Sequence, residues 1–426
     1  MVNFINEYKK GFARKERARY ENPMTKKIPK GFNDHPYPYH HELELKIERV
    51  SNLGLGIARD NGWVIQVPFV LPGELVRVRI YRNHKNYSDA DCMEILIPSS
   101  DRVEAKCELF GTCGGCQYQM ADYSKQLEWK RNQVSDCFQR IGGLELTVLP
   151  TIPSPKIYGY RSKLTPHYQK TKDGIEPKLG FLKNGSRKIL IDVPKCPIAT
   201  DSINRHLPLV RKELFKERKR RGGTLLLRDV QEGVTTDPNQ LVTEKVESFL
   251  FQFKAGEFFQ NNPYILPGLV EHVIEQAAPK ESLSLIDAFC GGGLFSLFGS
   301  MKFEKVVGIE ISREGFEGAR TNAKLNQISN AEFFLGDASS IFEELKSLPK
   351  PCSLVVDPPR KGCDSNFLNQ CLEFQPKRII YVSCDPATQA RDAKILVDGG
   401  YEILQAQPFD LFPQTRHIEN VLTLKI

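Results

Sequence analysis

The sequence predicts an α/β protein whose C-terminal part is a doubly wound, mostly parallel sheet, preceded by a small β-module and a region of mixed character. Three observations predict it. From about residue 282 onward, apolar β-rich runs alternate with helical patterns, as they do when each strand of a parallel sheet is followed by a crossover helix. LSLIDAFCGGG, residues 283–293, sets a glycine run directly after an apolar strand. Between residues 45 and 96, short β-rich runs alternate with turn formers such as Asp60-Asn61-Gly62 and Pro72-Gly73.

The elements follow in chain order. At 426 residues the chain is long enough for two or three domains, each with its own core. Residues 1–41 are basic, carry Gly31, Asn33, Asp34, Pro36 and Pro38, and lack apolar periodicity, so they are expected to be a flexible tail. Residues 42–100 are expected to form a closed β-barrel of OB type, an architecture often used to hold nucleic acid. Residues 101–258 combine a cysteine cluster, a helical stretch around Tyr123 to Arg140, and short strands in LGFLKN and KILIDV, without a legible topology. Residues 259–426 are the expected cofactor-binding α/β domain.

Composition narrows the class. Apolar content of 40% and charged content of 26% are those of a soluble globular protein, and no apolar run approaches the roughly 20 residues of a spanning helix. The first residues lack the apolar core and cleavage site of a secretory signal, so a cytoplasmic location with reduced thiols is expected. Eleven cysteines in that setting suit metal ligands, a nucleophile and core positions better than a disulfide framework. The net charge of +7 is modest, but nine basic residues fall between Lys9 and Lys30, and RKELFKERKRR (residues 211–221) is a second basic run. Such runs are solvated faces or phosphate contacts.

The glycine turn carries the first chemical argument. In an open α/β sheet, the turn after the first strand lies at the carboxyl edge, where ligands bind. Asp287 ends that strand, Phe289, Gly291 and Gly293 form the turn, and Glu310 ends the next strand in a position to accept from ribose hydroxyls. A dinucleotide site needs a third glycine where this chain has Ser296. A sulfonium cofactor has no phosphate to cradle and needs only a tight turn with carboxylates nearby, which Asp287, Glu310 and Asp337 supply. The expected cofactor is therefore S-adenosylmethionine.

Three further segments reach the same edge. CSLVVDPPRKG ends in Asp357-Pro358-Pro359-Arg360, IIYVSCDPATQARD sets Cys384 on the first polar step after an apolar strand, and PFDLFPQTRHIENV carries Arg416, His417 and Glu419 before the last β-run. Isolated polar residues of this kind are usually caps or loop ion pairs. Three such segments at one edge point to a site instead.

FFQNN, DAFCGGGLFSL, GIE, GD, DPPRKG, SCDPATQARD and PQTRHIENV occur in the order, and nearly the wording, of the RNA uracil-5 methyltransferase family, which this sequence resembles over nearly everything after the tail. The β-module looks like a TRAM domain. The resemblance implies that Cys384 is the nucleophile adding to carbon 6 of uracil, that Glu419 is the base removing the proton from carbon 5, and that Asp357 contacts the uracil edge. Gln260 would contact the methionine part of the cofactor. Because the smaller transfer-RNA enzymes of the family typically lack the β-module and the cysteine cluster, the resemblance favours 23S ribosomal RNA as substrate. The alternatives are a transfer-RNA enzyme and an inactive RNA-binding iron-sulfur protein. RNA is the expected partner, with neither DNA nor membrane, and the protein is expected to be a monomer.

Cys107, Cys113 and Cys116 are spaced C-x5-C-x2-C, and Cys196 follows in KCPIA. Four thiolates satisfy either zinc or a 4Fe-4S cluster, and the single fourth cysteine tilts the spacing slightly to iron and sulfur. The ribosomal branch of the resembled family carries a 4Fe-4S cluster on this pattern, so the resemblance implies one here.

Overall fold

Short β-branched runs separated by turns give the N-terminal strands β1 (Glu42–Lys46), β2 (Arg49–Val50), β3 (Leu55–Asp60), β4 (Trp63–Pro68), β5 (Leu75–Asn83) and β6 (Tyr87–Ile97). The computed structural model describes residues 28–170, 175–217, 221–279, 282–337, 345 and 348–426; most of the expected tail and part of the second basic run lie outside them. The strands are ordered β1-β5-β6-β4-β3-β2. The continuous segment 42–50 pairs with β5 through β1 and with β3 through β2, so the sheet curls onto itself as an OB-type barrel does. Its interior is filled from alternate strand positions by Ile65, Val67, Val76, Val78 and Ile80.

By contacts the chain divides into two units, Met1–Ala105 with Met120–Asp122, and Lys106–Gln119 with Tyr123–Ile426. The second unit begins with the cysteine loop and α1 (Tyr123–Cys137), which runs into a short π-turn. It continues with β7 (Lys163–Leu164), β8 (His167–Tyr168), β9 (Leu179–Leu182), β10 (Leu190–Asp192), α2 (Asp201–Lys216), β11 (Gly223–Thr224), β12 (Leu227–Val230) and β13 (Gly233–Thr235). The hairpin β14 (Leu241–Val246) and β15 (Phe249–Lys254) closes this part. Here the strands are short and form four-, three- and two-stranded sheets, which explains why periodicity gave no topology.

The rest alternates as its sequence pattern predicts: α3 (Leu266–Ala277), β16 (Ser284–Ala288), α4 (Leu294–Gly299), β17 (Lys305–Glu310), α5 (Arg313–Leu325), β18 (Ala331–Leu335), β19 (Cys352–Val356), α6 (Ser365–Phe374), β20 (Arg378–Ser383), α7 (Pro386–Asp398), β21 (Glu402–Phe409) and β22 (Glu419–Lys425). The sheet order is β18-β17-β16-β19-β20-β22-β21, parallel except for β22, which is antiparallel to both neighbours. Buried on both faces, these strands read as unbroken apolar runs. Ile286, Ile309, Leu354, Ile379 and Leu422 face one core, shared with α1, α6 and α7; Leu285, Val306, Val355, Ile380 and Val421 face the other, shared with α3 and α4. The order reverses between β16 and β19, and the crevice at their carboxyl ends is where such sheets bind ligands.

Candidate active site

Six strand ends build the site, those of β16, β17, β18, β19 and β20 and the start of β22. At β16, Asp287 is fully buried; its Oδ2 accepts a 2.6 Å hydrogen bond from Ser296 Oγ, while its Oδ1 has no partner among the described residues. Ser296, which spoils a dinucleotide motif, thus holds the acid that ends the first strand. Burial, with Asp357 and Glu310 nearby, raises the Asp287 carboxyl to about 7. Phe289 takes a left-handed backbone at φ 65°, strain of the kind a bulky residue keeps only where its surroundings fix it, and Gly291 and Gly293 are left-handed too.

Glu310 ties the turn to β17: its carboxylate accepts from the Gly291 N–H at 2.9 Å and the Ser312 N–H at 2.7 Å. Asn322, on α5, locks the turn from behind by donating to Gly292 O at 3.0 Å and accepting from Gln252 N at 2.8 Å. Asp337 is exposed two residues past β18, at the same edge, and Gln260 is half-buried in the loop after β15.

Cys384 follows β20 immediately. Asp385 then caps α7, accepting from the Ala387 and Thr388 N–H groups, with Pro386 in the first turn. The local sequence therefore stops the strand, turns, and starts the helix at the thiol, leaving it half-buried. In the antiparallel register, Ser383 pairs with Asn420, which sets Cys384 beside Glu419. Burial and then the neighbouring Glu419 push the Cys384 thiol up to about 11; Arg360, which hydrogen-bonds to it, opposes them, and Asp357 adds to them.

Glu419 is buried, and burial followed by the charge of Asp357 holds its carboxyl well above the usual range, against the pull of Arg360. Asp357, one residue past β19, is raised to about 7 by burial. His417 accepts a contact from Arg360 at 3.4 Å, and burial together with Arg360, Arg416, Lys130 and Arg161 lowers its imidazole to about 3, so it stays neutral. The structure therefore brings Cys384, Glu419 and Asp357 to one place and adds Arg360 and His417. Arg360 stands inside the DPPRKG motif, but nothing in its spacing announces that it reaches Cys384. Asn322 has no sequence signature at all.

The four clustered cysteines belong to other segments, Cys107, Cys113 and Cys116 before α1 and Cys196 before α2. Each is a free thiol on a partly buried residue. They lie near enough to feel one another: Cys196, Cys113 and Cys107 all raise Cys116, after burial. N–H groups of Leu109 and Phe110 serve the Cys107 sulfur, Gly115 serves Cys113, Ile198 and Ala199 serve Cys196, and the Gln119 side chain serves Cys116. The donor set suits a thiolate-bound centre, yet among the described residues no three His, Cys, Asp or Glu side chains converge closely enough to hold a metal ion. The implied iron-sulfur centre is thus not shown.

The family model described as tRNA (Uracil-5-)-methyltransferase matches residues 238–426, and the one described as the TRAM domain of tRNA (uracil(54)-C(5))-methyltransferase matches residues 43–100. The tRNA (uracil(54)-C(5))-methyltransferase of Schizosaccharomyces pombe is 40% identical, covering 91% of this chain and 79% of that protein. That of Saccharomyces cerevisiae is 31% identical over 91% of this chain and 74% of its own length. The structure of Pyrococcus abyssi tRNA (uracil-54, C5)-methyltransferase in complex with S-adenosyl-L-homocysteine superposes with a TM-score of 0.68, covering 90% of this chain and all of that one, at 24% identity, which shows the shared fold. The β-module had favoured a ribosomal RNA enzyme. Since the TRAM domain it matches is named for a tRNA enzyme, that module does not separate the two substrates. Relatives matched along most of their length and a sheet edge carrying the family's own motifs lead to one assignment: the chain belongs to the RNA uracil-5 methyltransferase family, with a TRAM domain before an S-adenosylmethionine-dependent methyltransferase fold.

Proposed function

We propose that this protein methylates carbon 5 of a uridine in transfer RNA, at position 54, with Cys384 as nucleophile and Glu419 as base. The observation that carries the chemistry is the convergence of Cys384, Glu419, Asp357 and Arg360 at the ends of β19, β20 and β22. The choice of RNA rests on the two relatives named as tRNA (uracil(54)-C(5))-methyltransferases.

Carbon 5 of uracil is too weakly nucleophilic to take a methyl group unaided. The Cys384 thiolate adds to carbon 6, forming a carbon-sulfur bond and moving the ring's electron pair onto an enolate, so that carbon 5 becomes the nucleophile. Arg360, the lasting positive charge beside the sulfur, favours the thiolate. S-adenosylmethionine supplies the electrophilic methyl group at its sulfonium. Glu419, as carboxylate, then takes the carbon 5 proton; the freed electron pair restores the ring double bond and expels the thiolate. Asp357 holds the uracil edge. Asp287, Glu310, Asp337, Gln260 and the turn residues Phe289, Gly291 and Gly293 hold the cofactor. A base inside a duplex or stacked loop cannot reach Cys384, so the target nucleotide is unstacked on binding.

The decisive experiment supplies labelled S-adenosylmethionine with unmodified tRNA transcript or 23S ribosomal RNA fragments. Label enters tRNA as 5-methyluridine, and Cys384→Ala incorporates none. Incorporation into the ribosomal fragments alone would return the substrate to 23S RNA; incorporation into neither would favour a protein that only binds RNA. The four thiols and the N–H donors aimed at their sulfurs support a 4Fe-4S centre, which iron analysis of anaerobically purified protein tests: zinc without iron would reject it.

A further inference from the structure

Glu419 is reached through residues 410–418, a loop gripped from outside the parallel sheet. Asp410 Oδ1 accepts a 2.5 Å bond from Lys130 Nζ on α1, both side chains being fully buried, and Lys130 also donates to Phe412 O at 3.2 Å. Tyr160 Oη donates to Pro413 O at 2.9 Å. Gln126 accepts from Gln414 N and donates to Gln414 Oε1, each at 3.1 Å. Gln414 has a left-handed backbone, φ 69°, and its carbonyl accepts from both the Gln117 and Tyr118 N–H groups at 3.1 and 3.0 Å. A strained residue held by so many fixed partners is a pinned one.

Among these anchors Gln117 is distinctive. Its Nε2 donates to Gly114 O at 3.0 Å, within the cysteine loop, and its Oε1 accepts from Arg416 N at 3.2 Å, three residues before Glu419. It is half-exposed, so replacing it opens no cavity. Glu419 is the first residue of β22 and pairs with Phe409, so its position depends on both ends of this loop. Cys384 and Asp357 follow β20 and β19, neither of which this loop joins.

We infer that Gln117 is a positioning residue: by accepting from the Arg416 N–H, it fixes the end of the loop and thereby the distance of the Glu419 carboxylate from carbon 5. This rests on the proposed roles of Cys384 and Glu419. Its signature is selective, because addition of the thiolate and transfer of the methyl group precede the step that needs Glu419, and a displacement of about 1 Å can cost a proton-transfer step on the order of 100-fold.

The test compares wild type, Gln117→Ala and Gln117→Glu on two RNAs with S-adenosylmethionine. With tRNA transcript containing 5-fluorouridine, where no carbon 5 proton can be removed, conjugate formation by Gln117→Ala stays within about twofold of wild type. With ordinary transcript its turnover falls about tenfold or more, and a methylated, denaturant-resistant protein–RNA conjugate accumulates. Gln117→Glu, which keeps the acceptor for Arg416 N–H but loses the donor to Gly114, recovers most of the turnover. The inference is overturned if both RNAs slow in parallel, if neither slows, or if the glutamate variant is as slow as the alanine. Failure of the wild type to form any conjugate would instead overturn the role of Cys384, a different result.

Discussion

At the scale of single residues, the site is a competition between burial and charge. Cys384 has a thiol pushed up to about 11 by burial, Glu419 and Asp357, with Arg360 opposing, so only a small fraction is thiolate near neutrality. Its addition step should accelerate as pH rises toward that value. Arg360→Leu removes the opposing charge and should move the rise to still higher pH and slow conjugate formation at pH 7, whereas Asp357→Asn removes a repelling carboxylate and should move it lower, measured as the pH profile of conjugate formation with 5-fluorouridine RNA. Equal profiles for wild type and Arg360→Leu would show that the guanidinium does not serve the sulfur. Glu419→Gln keeps the hydrogen-bonding shape without a base, and should form the methylated conjugate yet release it at most about a hundredth as fast as wild type. These residues were legible before any fold was known, because DPPRKG, SCDPATQARD and PQTRHIENV spell them out. Arg360's contact with the thiol, the neutrality of His417 and the hold of Asn322 were not, since each depends on side chains brought together from distant segments.

At the scale of elements, the alternation of apolar runs and helical patterns gave the sheet, and strands such as KVVGIE were bounded by their own sequence. The central region resisted for a physical reason: β7 to β13, of two to four residues each, are too short to display a period, and most of them pair with partners far along the chain. Close packing behind the cofactor turn makes one element-scale expectation specific. A Cβ added at Gly308 on β17 would lie 2.5 Å from Phe333 Cδ1 and 3.0 Å from Cys290 Sγ. Gly308→Ala should therefore destabilise the protein by about 1–3 kcal/mol, read as a lower urea midpoint, without changing the pH profile of conjugate formation. An unchanged midpoint would mean that Phe333 moves aside freely.

At the scale of the whole molecule, Asp287, Asp357 and Glu419 gather buried acids at one edge, each raised, a field that suits a cationic cofactor. The sign for Asp287 follows from linkage. Its ordinary value of 3.8 rises to about 7 on folding, so between those values the folded state holds more protons and its stability falls as pH rises. His417, lowered from 6.5 to about 3, acts the opposite way over its own window. Asp287→Asn isolates the first: urea midpoints at pH 5 and 7.5 should differ less in the direction of acid stability than in wild type, and an unaltered difference would contradict the burial argument. Antiparallel pairing of β22 on both sides has a further outcome. Side chains alternate along a strand, so an insertion or deletion between positions 410 and 418 that shifted the β22 register by one residue would present Ile418 or Asn420 where the carboxylate belongs. The length of this segment thus bears on where the Glu419 carboxylate lies, beside the identity of the residue itself.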